Sequence, residues 1–309
     1  MKILQKLVDV PQIFIYTLLN FGGVMYTWGT ILSLFFINAY FTCPALEGDR
    51  CPYYIAFGVF LLFEIGLNFF CFHYYSYWNR VDVIFPSNAL PPANIRDDGT
   101  VELHGDPETT KLCFNCRRSV PVRSHHCPLC QYCVLKKDHH CFLTGGCVGF
   151  GNQRYFIVFL FWASIGAWYG AWITGRYLNV YFKPFLPYGF IDYIFPICFK
   201  RWLLFQHCTI VDLGYSMIFS AGFGGGTAAF VFFCLQMQLV FKGQTMHEMS
   251  KKNKQALHPE RMPINLRMQC VFGPYWFANF LIPLPFRNRM DESFKKLLYD
   301  SHLKEMTEI

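Results

Sequence analysis

Between Cys113 and Cys147 the chain places seven cysteines and four histidines within 35 residues. They run Cys113-x2-Cys116, then His125-His126-Cys127-x2-Cys130-x2-Cys133, then Asp138-His139-His140-Cys141, and finally Cys147. Zinc takes four thiolate or imidazole donors in a tetrahedron, often from C-x2-C turns. Two such sites need eight donors, and spacing alone does not say which cysteine is left over. The segment has few aliphatic residues and many turn formers, among them Pro121, Ser124, Pro128, Gly145, Gly146 and Gly149. Metal binding energy is therefore expected to serve as its folding energy.

The surrounding chain is built for a different solvent. Of 309 residues, 53% are hydrophobic and 15% charged, where a soluble domain carries about 25% charged. The deficit falls in four apolar runs, residues 12–41, 53–78, 155–177 and 214–241. Each exceeds the ~20 residues a helix needs to cross a bilayer, and only helices keep such backbone satisfied there. The first run is too long for a signal-peptide core and lacks a small-residue cleavage site, so it is read as retained. Residues 186–205 contain Pro187, Gly189, Asp192, Pro196, Lys200 and Arg201, which suits a loop or interfacial hairpin. Residues 271–286 are short and hold Pro274, Pro283 and Pro285, which suits the membrane surface.

With four spans, 22 of the 27 Lys and Arg residues fall on one side. The positive-inside rule puts that side, with both termini and the cysteine-rich loop, in the cytosol. The net charge of +7 reflects this topology and calls for no nucleic acid. Cytosolic cysteines stay reduced, so the 113–147 cluster is expected to bind metal or do chemistry. Cys43, Cys51, Cys198 and Cys208 fall on the far side, where disulfides (Cys43 with Cys51, for example) or free thiols both fit. The expected fold is an all-α integral membrane protein. It has four transmembrane helices and a cytosolic zinc-bound loop domain between the second and third. The segments are 1–78, 79–154, 155–241 and 242–309. Small residues on the later spans, such as Gly166, Gly170, Gly222 and Gly226, suit close helix packing or room for a ligand chain.

The order of motifs carries a resemblance. C-x2-C, Pro121-Val122-Arg123, His126-Cys127, C-x2-C, Cys133, Asp138-His139-His140-Cys141, Cys147-Val148-Gly149 and Asn152 follow one another over residues 113–156. This segment resembles the DHHC protein S-acyltransferases, or palmitoyltransferases, and the flanking helices fit that layout. The resemblance implies one zinc on Cys113, Cys116, His126 and Cys133. It implies a second on Cys127, Cys130, His140 and Cys147. Cys141 is then the free thiol, with His139 as its base and Asp138 orienting the imidazole. The implied reaction is ping-pong: Cys141 takes a long-chain acyl group, such as palmitoyl, from acyl-CoA. It then passes that group to a cysteine of a membrane-associated protein at the cytosolic face. Each acyl CH2 removed from water contributes ~0.8 kcal/mol, so the chain would lie among the helices. Of the basic residues Arg117, Arg118, Arg123, Lys136 and Lys137, Arg123 matches a family position and is the candidate for the CoA phosphates. Endoplasmic reticulum or Golgi membranes are implied at family level.

The chain also departs from the family pattern. Phe142-Leu143-Thr144-Gly145-Gly146 stands where Pro-Trp follows the cysteine and two Asn precede the next ligand. Thr245-Met246-His247-Glu248 stands for Thr-Thr-x-Glu. The second Thr of that element supports the active-site Asp in the family, and Thr245 or His247 is the expected substitute. Asn265 is the candidate for a later Asn-centred element, and Val120 replaces a Lys. These departures motivate an alternative, a catalytically weak zinc-stabilised membrane scaffold. A RING-like ligase does not call for Asp-His-His-Cys. Nucleic-acid binding lacks the C-x2-C…H-x3-H helix frame.

Overall fold

The computed structural model of the chain describes residues 2–85, 94–95, 101–102, 110–206, 208–250, 263–273 and 275–281. The four apolar runs lie on α1 (Lys2–Ile37), α2 (Cys51–Ser76), α3 (Gln153–Tyr181) and α4 (Ile210–Lys242). Among the described residues, three continuous helical stretches are long and apolar enough to cross a membrane: Phe14–Asn79, Gln153–Tyr181 and Ile210–Lys242. The first, at 66 residues, would extend about 100 Å if straight, over three times the ~30 Å hydrocarbon core. It folds back instead. A π-helical turn at Asn38–Thr42 and a short helix at Cys43–Glu47 lead to Gly48, whose φ of +51° breaks the run. Beyond it α2 returns antiparallel to α1. A Cβ on Gly58 would lie 3.3 Å from the Phe35 ring, and one on Gly66 3.6 Å from Trp28.

The chain divides into two compact units. Residues 25–67 and 158–235 form a helical bundle around α3. Glycines make the approaches close. A Cβ on Gly166 would lie 3.0 Å from Ile65, on Gly175 3.1 Å from Phe219, and on Gly226 2.7 Å from Trp168. One on Gly222 would lie 2.9 Å from Leu34 and 3.0 Å from the Ala167 carbonyl. Close packing thus accounts for these four. Gly224 and Gly225 face open space. Buried Asn38 donates to the Leu34 and Gly170 carbonyls at 2.8 and 3.2 Å and accepts from Thr174 at 3.1 Å. Such interhelical polar contacts contribute about 0.6–2 kcal/mol in membrane bundles.

The connection from α3 to α4 is more ordered than a loop. It contains short helices Phe190–Tyr193 and Phe195–Leu203. Buried Asp192 holds Lys183 and Arg201, the latter at 2.8 Å. The Cys198 and Cys208 sulfurs come within 3.0 Å of each other, whereas Cys43 donates to the Cys51 backbone carbonyl at 3.6 Å.

The second unit comprises residues 1–24, 68–157 and 236–309, and it corrects the all-α expectation. Its cysteine-rich segment is a chain of antiparallel hairpins. After a two-residue ladder of β1 (Asn94–Ile95) and β2 (Val101–Glu102) come three hairpins. They are β3 (Thr110–Cys113) with β4 (Arg118–Pro121), β5 (His125–Cys127) with β6 (Tyr132–Val134), and β7 (His139–Cys141) with β8 (Gly146–Val148). The three turns share one geometry. Each strand ends on a cysteine, Cys113, Cys127 or Cys141, and the residue four further on has positive φ. These are Arg117 at 50°, Gln131 at 61° and Gly145 at 69°. The offset is fourteen residues throughout. Metal donors are not the only support. Val81, Phe85, Val120, Leu135 and Phe150 form a small apolar core with Cys113 and Cys133.

The segment after α4 turns into α5 (Met246–Ser250) and, further on, a helix at Ile264–Phe272 that buries Met268, Val271 and Phe272. Asn265 is exposed. The buried asparagine is Asn279, which donates to the Phe272 carbonyl and, at 3.4 Å, to that of Tyr275. The Asn-centred role expected of Asn265 therefore does not fit its position. Residues 274 and 282–286 of the apolar 271–286 stretch lie outside the described residues.

Candidate active site

The hairpins bring the cysteines and histidines into two groups. Cys113, Cys116, His126 and Cys133 form one, and Cys127, Cys130, His140 and Cys147 the other. Within each, the four donor atoms lie within 4.8 Å of one another. Cross-strand register does much of this, since His126 lies opposite Cys133 and His140 opposite Cys147. The middle hairpin supplies both groups, so each group joins one hairpin to the next.

The donor sets suit a tetrahedral ion. Zinc at ~2.3 Å from sulfur and ~2.0–2.1 Å from nitrogen gives donor edges of roughly 3.6–3.8 Å. In the second group His140 Nδ1 lies 3.6, 3.4 and 3.5 Å from the sulfurs of Cys127, Cys130 and Cys147, and the Cys130–Cys147 edge is 3.6 Å. In the first group the Cys116–Cys133 edge is 3.6 Å and the Cys116 sulfur lies 3.3 Å from His126 Nδ1. His140 Nε2 meets Asn20 Oδ1 at 2.9 Å. With Nε2–H donating to that oxygen, Nδ1 is the lone-pair nitrogen that faces the sulfurs. This is the partner a ligating histidine commonly has.

Among the described residues, the Cys141 sulfur belongs to neither group. It stands on the third hairpin at the position that Cys113 and Cys127 hold on the first two. His139 Nδ1–H donates to buried Asp138 Oδ2 at 2.7 Å, and the imidazole also interacts with the Cys141 thiol. Burial disfavours the imidazolium, but Asp138 and Cys141 outweigh it and raise His139 to about 9. Burial likewise disfavours the Cys141 thiolate, and His139 with Thr144 brings the thiol below its ordinary value. Asp138 is buried too, yet His139, the Met246 amide and Gln236 hold its carboxyl below the usual range.

The Asp138 carboxylate accepts three hydrogen bonds in all. Besides His139, Gln236 Nε2 donates to Oδ2 at 2.8 Å and the Met246 backbone N–H to Oδ1 at 2.8 Å. The donor from this segment is the Met246 main chain, where a Thr245 or His247 side chain was expected. Thr245 is the N-cap of α5: its Oγ1 accepts from Glu248 N–H at 3.2 Å while its own N–H donates to Glu248 Oε2 at 2.9 Å. That reciprocal pair is a capping box. His247 packs against His125, with ring centroids 3.8 Å apart and planes inclined at 44°.

Glu248 has a second partner. Arg123 Nε and Nη2 reach its two carboxylate oxygens at 2.6 and 2.8 Å, and Nη2 also donates to the Gly243 carbonyl at 3.1 Å. Arg123 is thus engaged with the segment that carries Met246. The other basic candidates are mostly tied as well. Arg118 donates to the Phe85 carbonyl at 2.6 Å, Lys136 to Gln153 at 3.2 Å and Lys137 to the His126 carbonyl at 3.2 Å.

A family model described as DHHC palmitoyltransferase matches residues 106–253. The chain carries a DHHC palmitoyltransferase domain. Human palmitoyltransferase ZDHHC13 is 28% identical over 272 residues, which is 85% of this chain and 38% of that protein. Mouse palmitoyltransferase ZDHHC22 is 29% identical over 185 residues, 58% of this chain and 61% of that protein. Bovine palmitoyltransferase ZDHHC16 is 37% identical over 108 residues, 33% of this chain and 28% of that protein. The chain therefore spans between 28% and 61% of the length of these relatives, less than two thirds of each.

Several contacts of the DHHC domain could not be read from motifs. Buried Asn79 donates to the Cys147 carbonyl at 3.3 Å and accepts from Gly151 N–H at 2.6 Å. Asn152, which the motif order did single out, donates to the Phe72 and Cys147 carbonyls and to Ser76. Asn20 and Gln236 are polar residues within apolar helices, and that mismatch is the one sequence signal they offer. The Trp position of the family is Leu143, about half exposed.

Proposed function

We propose that this protein is a protein-cysteine S-acyltransferase that uses a long-chain acyl-CoA, such as palmitoyl-CoA, with Cys141 as nucleophile. The observation that carries this reading is one sulfur outside two complete donor sets, beside an Asp138–His139 pair. His139 takes the Cys141 proton as the sulfur attacks the thioester carbonyl of acyl-CoA. CoA leaves as thiolate and receives that proton, so the first half-reaction yields acyl-Cys141 and CoA-SH. In the second half, a cysteine thiol of a membrane-associated protein gives its proton to His139 and attacks acyl-Cys141. Cys141 departs and recovers the proton. Thioester exchange is nearly isoenergetic, so positioning and proton handling are what the site must supply.

Two zinc ions, one on each Cys3His set, would hold the three hairpins in register and supply structure rather than chemistry. Four membrane crossings, with both termini and the hairpins in the cytosol, are supported by the α1–α2 reversal and by the side preference of Lys and Arg. Endoplasmic reticulum or Golgi membranes are the proposed location. For Arg123 we favour a docking role over phosphate binding, because Nε and Nη2 already serve Glu248 and the Gly243 carbonyl. Among the departures behind the scaffold alternative is the missing second Thr, and there two other donors reach Asp138.

The test is direct. Purified protein given radiolabelled palmitoyl-CoA should acquire a label that hydroxylamine releases. Cys141→Ser should take none while retaining two zinc ions per chain. Wild-type protein with both metals bound and no label would favour the scaffold.

A further inference from the structure

We propose that Gln236 is a positioning residue for the reaction, the side-chain clamp that fixes the Asp138 carboxylate and, through it, His139. The inference rests on the acyltransferase reading but is argued from geometry of its own. Gln236 lies in α4, twelve residues before Glu248, and its one sequence signal is a polar residue in an apolar stretch. It is fully buried. Its Nε2 donates at 2.8 Å to the same oxygen, Asp138 Oδ2, that accepts from His139 Nδ1 at 2.7 Å. The Met246 N–H takes the other oxygen.

The three bonds define the carboxylate plane. Met246 and His139 each hold one oxygen against rotation about the Cβ–Cγ bond. Gln236 adds a second donor at the oxygen where His139 is held and restrains the carboxylate further. A stability role does not explain the residue. Gln236 Oε1 is buried and has no hydrogen-bond partner among the described residues. A buried amide left half-satisfied is unfavourable, and an apolar residue of equal length would fill the same volume. The amide is therefore oriented by Asp138 alone, with Nε2 toward the carboxylate because the carboxylate can only accept.

The clamp answers a departure in the sequence. Where Met246 stands, no hydroxyl is available, and the side chain of Met246 cannot donate. The main chain at that position still reaches Oδ1, and the missing side-chain donor is supplied from α4 instead.

Gln236→Met keeps length and volume and deletes the donor. Full-length, zinc-loaded protein in detergent should keep its melting temperature and its KM for palmitoyl-CoA. Its rate of acyl-Cys141 formation should fall ten- to a hundred-fold, the scale of a misplacement of about 1 Å. Gln236→His, whose Nε2 has similar reach and can donate, should recover part of the rate. In an Asp138→Ala background Gln236→Met should cause no further loss, because the residues act as a unit. A second readout needs no acyl-CoA: the rate of Cys141 alkylation by iodoacetamide, followed by peptide mass spectrometry, should fall in Gln236→Met. If neither alkylation nor acylation slows, or if the loss persists undiminished without Asp138, the assignment is overturned. If alkylation depends on Gln236 while wild type never takes an acyl label, the clamp stands and the acyltransferase reading falls.

Discussion

Arg123→Ala separates two roles for one guanidinium. Arg123 makes two charge-assisted bonds to Glu248 and one bond to the Gly243 carbonyl, and its side chain is 10% exposed against 21% for Glu248. Removing one member of a buried pair commonly costs about 3–5 kcal/mol. Glu248 is a fifth exposed and keeps the Thr245 N–H, so the low end, about 3 kcal/mol, is expected. That corresponds to roughly two orders of magnitude in the docking equilibrium of the 243–250 segment. Hydrogen exchange at the Met246 amide should accelerate by a similar factor, because that amide is protected by its bond to Asp138. Acylation should slow with it, and Arg123→Lys should rescue poorly because an ammonium cannot bridge both carboxylate oxygens. Glu248→Gln should mimic the defect. If exchange at residues 245–248 is unchanged and the KM for acyl-CoA alone rises, Arg123 is a phosphate ligand and the docking argument is wrong. Acid offers an independent check. Burial opposes ionisation of Glu248, but Arg123 outweighs it and depresses the carboxyl. The contribution of the pair is therefore complete above the ordinary Glu range near pH 4.3 and is lost as pH falls through the depressed value.

Other outcomes follow from the same contacts. Asn20→Leu should weaken retention of the second metal ten- to a hundred-fold, measured by competition with a chromophoric chelator, and leave the first group alone. Gly145→Ala should destabilise the third hairpin by about 1–2 kcal/mol, since φ is +69° and the new Cβ would sit 2.9 Å from Val24; thermal unfolding reads this. Chelation should expose residues 110–150 to protease, and resistance retained in metal-free protein would contradict the folding role of the metals. Lys136 is held down to about 8 by burial first and by Arg123 next. Its folded value is below the unfolded ~10.4, so it detracts from stability at pH 8 and below, and this penalty fades as pH rises toward 10.4. Lys136→Met should raise the melting temperature by a few degrees at pH 7 and by less at pH 10.

The sequence disclosed the helices because a 20-residue apolar run has few other solutions, and it disclosed the abundance of donors. It did not disclose how Cys113, Cys116, His126 and Cys133 divide from the rest. That partition came with the family resemblance, and the strand register now gives its physical cause. The hairpins themselves went unread because their strands are three or four residues long and their polar donors hide any alternation. Gln236 and Asn20 escaped because one buried amide in a helix has no motif. The Met246 contact uses a main-chain N–H, which every residue but proline has. Asn265, the sequence candidate for the Asn-centred element, is exposed, whereas Asn279 is buried.

One spacing has a wider consequence. Fourteen residues separate Cys113 from Cys127 and Cys127 from Cys141, and the same step relates His126 to His140 and Cys133 to Cys147. The second step, which takes Cys127 to Cys141, lands on Thr144 after Cys130, Arg154 after His140 and Phe161 after Cys147, none of them able to ligate. The last hairpin is thus a metal knuckle stripped of three of its four grips. On the proposed reading, the backbone that elsewhere would aim sulfur at an ion here would aim it at an electrophile, and reactivity would arise by subtraction from a fold whose other two copies are closed.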